Sequence, residues 1–82
     1  MSASDELGKE RSALAAANRD IAEGEARIAR QAELVHAFRL KQQDCTAAEQ
    51  LLDHLAGTLS AWREHRELIL HRIRTLERIG RE

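Results

Sequence analysis

The sequence predicts an all-α protein, two long helices in an antiparallel, coiled-coil-like hairpin that assembles into a four-helix bundle. Three observations carry that expectation. The 82 residues contain no proline and are rich in Ala, Leu, Glu, Arg and Gln, all good helix formers. Apolar residues recur at heptad and three-four spacing on both sides of a single interruption. The interruption itself, "LKQQDCTAAEQLL" at 40–52, is polar and holds helix-capping residue types.

The first helix is expected over about 5–42. Leu7, Leu14, Ile21, Ile28 and Val35 are spaced by seven, and Ala17, Gly24 and Phe38 add a second series three residues on. Glu10 and Gln31 break that second series. The turn is expected at about 43–45, where Gln43 and Asp44 suit an exposed connection. Asp44 and Thr46 are both good N-cap residues, and Thr46-Ala-Ala-Glu49 reads as a capping box. The second helix is expected over about 46–79, with Leu52, Leu55, Leu59, Trp62, Ile69, Ile73 and Leu76 in alternating three- and four-residue steps. Arg66 alone interrupts that stripe. Gly80, with Arg78 just before it, reads as a helix C-terminus.

A short connection between long helices makes them antiparallel neighbours, so contacting residues should have numbers summing to about 86. The charges agree with this register. Residues 44–59 hold acids and no Lys or Arg, and face the mostly basic 28–43; the Arg-rich 60–82 faces the mostly acidic 5–27. The same sum sets Gly24 opposite Trp62. The expected core, of the hairpin or of its oligomer, is therefore Leu14, Ile21, Ile28, Val35, Phe38, Leu52, Leu55, Leu59, Trp62, Ile69, Ile73 and Leu76. Two helices cannot cover each other's apolar faces, so self-association is expected, most simply as a homodimer. A different protein could cover the same surface.

Several function classes are disfavoured. The formal net charge of −1 suits a nucleic-acid binder poorly. The C-terminal arginines are interleaved with glutamates and lack a reading helix or aromatic stacking platform, so a small regulator that binds nucleic acid or a DNA-binding protein through this end of the second helix stays the alternative reading. No apolar run approaches the roughly 20 residues that span a bilayer, and the polar start lacks a signal-peptide pattern. A cytoplasmic protein is expected, with no membrane partner. One cysteine, Cys45, forms no internal disulfide and reads as a turn residue. The four histidines show no i,i+3 or i,i+4 pair, and no zinc or di-iron motif is present, so no metal, cofactor or catalytic residue is assigned. Arg66, in mid-stripe, is expected to fix register or oligomer state, either snorkelling to solvent or pairing with Asp20 or Glu25.

"IAEGEARIARQ" (21–31), "AEQLL" (48–52) and "WREHRELIL" (62–70) resemble stretches in a group of short alphaproteobacterial, particularly rhizobial, proteins. The turn in that group often reads Gly-His-Asp-Thr, where this chain has Gln42-Gln43-Asp44-Cys45. The resemblance implies a bacterial cytoplasmic setting and carries no established activity. The reading as a whole is a non-enzymatic, self-associating structural or adaptor element.

Overall fold

The computed structural model describes residues 2–81 as two helices, α1 (Ala3–Leu40) and α2 (Thr46–Arg81), with no strand among them. They lie side by side as an extended hairpin, 63 Å long and about one helix deep, measuring 16 × 14 Å across. The 38 residues of α1 account for about 57 Å of that length at 1.5 Å per residue.

Local chemistry fixes the ends. Ser2 caps α1, its Oγ accepting from the Asp5 amide at 3.3 Å while extended backbone at Ser2 leads into the helix. At the other end Gln42 adopts φ 57°, the only non-glycine in the left-handed region among the described residues. Its amide donates to Arg39 O at 3.1 Å, and the Gln43 amide donates to Phe38 O at 2.9 Å. These two bonds form a Schellman motif that satisfies carbonyls of the last turn. The helix therefore stops at Leu40, slightly before the expected end.

The start of α2 differs in detail from the capping box read in the sequence. Asp44 Oδ1 accepts from the Thr46 amide at 3.0 Å and from the Thr46 hydroxyl at 2.7 Å. The Glu49 amide bonds the Cys45 carbonyl instead of the Thr46 hydroxyl. Asp44 wins because its carboxylate offers a charge-assisted acceptor to two donors at once. At the far end α2 continues through Gly80 to Arg81, and no described glycine has positive φ. The glycine there ends nothing.

The interior is a narrow seam. Ala17, Ile21 and Val35 of α1 and Ala48, Leu59, Ile69 and Ile73 of α2 are buried, with Ile69 wholly so. Ala17, Ile69 and Ile73 form a cluster against which Leu7, Ala13 and Leu14 pack. The remaining stripe residues Leu14, Ile28, Phe38, Leu52, Leu55 and Leu76 are half-buried. Trp62 is the outlier: within the single chain it stands exposed, 37% accessible. The space opposite Gly24 is filled by Leu59, whose Cδ1 lies 3.4 Å from where a Cβ on Gly24 would sit. Leu59 is thus the side chain packed closest to Gly24, while Trp62, one heptad from the wholly buried Ile69, lines the same groove as Gly24 but keeps its larger ring partly exposed.

Candidate interaction surface

The polar residues that break the stripes all reach across to the other helix. Glu10 Oε1 accepts from Arg72 Nε at 3.1 Å. Gln31 Nε2 donates to the Ala48 carbonyl at 2.9 Å. Arg66 Nη1 donates to Asn18 Oδ1 at 3.4 Å, a long bond to a neutral partner in place of the expected Asp20 or Glu25. Glu25 shares the heptad row of Asn18 but lies one repeat further along the helix, and for Asp20 the reason is rotational. Asp20 lines the opposite edge of the hairpin, while Arg66 leaves the seam on the Asn18 side.

The hairpin consequently has two unlike flanks. One is tied by polar groups. Arg11, Asn18 and Arg39 share a heptad row on α1 and meet Glu77, Arg66 and Glu49 of α2 respectively. The Arg39–Glu49 pair sits over the turn, and the Cys45 thiol donates to the same Glu49 oxygen at 3.1 Å. The Arg39 guanidinium first, and the Cys45 thiol second, hold the Glu49 carboxyl below the usual glutamate range. Glu49 in turn raises Arg39 above its ordinary value, with a further contribution from Cys45. The Thr46 hydroxyl and then its amide lower Asp44.

The other flank carries the Glu10–Arg72 pair toward the chain ends and most of the exposed large apolar side chains. A groove between the helices is lined there by Asp20, Glu23, Gly24 and Arg27 on α1 and by Leu55, Thr58, Leu59 and Trp62 on α2. Beside it Ala61, Trp62 and His65 make an almost wholly apolar hollow, with the indole and imidazole edge-to-face at 5.7 Å and 74°. Leu51 and Ile79 are one heptad from Thr58 and Arg72, and Leu68 is one heptad from Ala61, so all three face this flank. They are 47%, 50% and 59% exposed. Leu34, one heptad beyond Arg27, is also exposed. Leu40, near the turn, is the remaining large exposed apolar side chain among the described residues.

In the sequence Leu34, Leu40 and Leu68 already lie off the main stripes and Leu51 belongs to the apolar arc of α2, whereas Ile79 is not singled out. That arc is wider than a two-helix seam requires. No group of three or more His, Cys, Asp or Glu side chains is placed to hold a metal among the described residues. Among the described residues no helix is long and apolar enough to cross a membrane. Comparison with family models, curated proteins and solved structures yields no match to this chain.

Proposed function

We propose that this chain is a self-associating helical hairpin that acts as a structural or adaptor element through protein contacts, without catalysis, in a cytoplasmic setting. The observation that carries the proposal is the asymmetry of the hairpin. Three polar contacts tie one flank, while the other, bridged by Glu10–Arg72 alone among the cross-helix ion pairs described, leaves Leu51, Trp62, Leu68 and Ile79 exposed. Exposed apolar surface of this extent marks an interaction site.

The surface area supports the same reading. The chain exposes 6074 Å², whereas a compact 9.3 kDa monomer exposes about 5,000 Å². The excess of about 1,000 Å² compares with the roughly 800 Å² each partner gives to a standard interface. Its radius of gyration, 18.5 Å, likewise exceeds the roughly 12 Å of a globule of this length. The shifted acids and bases hold the turn and the cap of α2, which are structural tasks. Two of the C-terminal arginines, Arg66 and Arg72, are engaged with α1, which favours protein contacts over the alternative of nucleic-acid binding.

Sedimentation equilibrium over a wide concentration range, with helicity followed by circular dichroism, tests the proposal. A dimer or higher oligomer that loses helix on dissociation is the expected result. A fully helical monomer at all concentrations would overturn it.

A further inference from the structure

We infer that a second copy of this chain docks on the exposed row of α2, running antiparallel, with the two-fold axis passing beside His65. The inference rests on the self-association proposed above and assigns the surface through which it occurs. An isologous contact brings the same patch of both subunits together, so residue i meets j and j meets i. An antiparallel row can do this only if it matches itself when read backwards.

The α2 row does so about His65. Leu51 and Ile79 stand fourteen residues to either side, and Trp62 and Leu68 stand three to either side. The antiparallel contact therefore sets Leu51 on the partner's Ile79 and Trp62 on the partner's Leu68, each twice. The seven-residue positions set Thr58 on the partner's Arg72. The two outer apolar contacts are about 42 Å apart along the helix, so the interface runs most of the length of α2.

Charge selects this direction over the parallel one. Leu51, Thr58, His65, Arg72 and Ile79 include no carboxylate, and Arg72 is already paired with Glu10. Parallel docking would stack Arg72 on its own copy, a like-charge contact, and leave Trp62 facing Trp62. Antiparallel docking separates the two arginines and seats each indole, already edge-on to His65, against a leucine. A foreign helix could fill the same row, but it would have no reason to find the row symmetric.

Single-cysteine crosslinking in a Cys45→Ser background tests the geometry, with helicity confirmed for each variant. On mild oxidation His65→Cys should give a covalent dimer, because a position on the axis meets its own copy within disulfide reach. Ser60→Cys, exposed on the outer surface of α2, should remain monomeric on a denaturing gel. Leu51→Cys should crosslink when mixed with Ile79→Cys and far less by itself. An oligomer in sedimentation whose His65→Cys variant crosslinks no faster than Ser60→Cys would overturn the assigned surface while leaving self-association standing. A monomer would overturn both.

Discussion

Arg39 and Glu49 join the last turn of α1 to the first turn of α2, and the Glu49 carboxylate accepts from both the guanidinium and the Cys45 thiol. Because these partners favour the ionised carboxylate, folding lowers its pKa. The sign follows from linkage. The contribution is complete above the unfolded-state value of about 4.3 and is lost as pH falls through the lower folded value. Urea unfolding of wild type and Glu49→Gln should show the largest stability gap above pH 5 and a shrinking gap toward pH 3. A constant gap would mean that the charge on Glu49 does not matter.

Gln42 occupies a left-handed conformation that costs a residue bearing a Cβ about 1 kcal/mol and costs glycine nothing comparable. Gln42→Gly should therefore stabilise the hairpin by roughly 0.5–1 kcal/mol, after glycine's greater unfolded-state entropy is allowed for. For a domain of this size that is a melting-temperature rise of a few degrees. Thermal melting at fixed protein concentration checks it.

The glycines inside the helices behave oppositely. A Cβ at Gly57 meets nothing within 4 Å, so Gly57→Ala should add about 1 kcal/mol from helix propensity alone. At Gly24 the new methyl meets Leu59 Cδ1 at 3.4 Å, so Gly24→Ala should give a smaller gain. Denaturant midpoints of the two variants, compared with unchanged m-values, read the difference.

Arg66 interrupts an otherwise apolar stripe and reaches Asn18 through one long, exposed hydrogen bond. Arg66→Leu should raise stability by about 1 kcal/mol, since replacing a poorly paired charge at a seam position with an apolar residue is commonly neutral or favourable. Specificity should fall at the same time. Sedimentation velocity should show a broader distribution of species if Arg66 sets the register.

Trp62 is the sole tryptophan and lies on the more apolar flank. Its emission should shift to the blue as protein concentration rises through the association range. An emission maximum that stays at the fully hydrated position at every concentration would remove the indole from the interface.

The two helices and their antiparallel pairing were legible because heptad spacing is a direct record of which side chains face the seam. Contacts such as Arg39–Glu49, Arg11–Glu77 and Arg66–Asn18 have numbers close to the expected sum of 86. What spacing does not record is absolute rotation about each helix axis. That is why Arg66 reaches Asn18 rather than Asp20, which lines the opposite edge. Ser2 was missed as a cap although Ser2-Ala-Ser-Asp5 carries the capping pattern. The left-handed Gln42 was invisible, since nothing in a glutamine side chain announces positive φ.

The single turn also dictates an order of events in folding. Pairs such as Arg39–Glu49 and Gln31–Ala48 are separated by 10 and 17 residues, whereas Arg66–Asn18 spans 48. Each contact made near the turn shortens the loop that the next must close, so the hairpin zips outward from Gln42 and Asp44. Opening runs in reverse. Amide hydrogens near Ser2 and Arg81 should exchange fastest, and protection should climb inward to the Ala17–Ile69–Ile73 cluster, which acts as a clasp between the fraying ends and the turn.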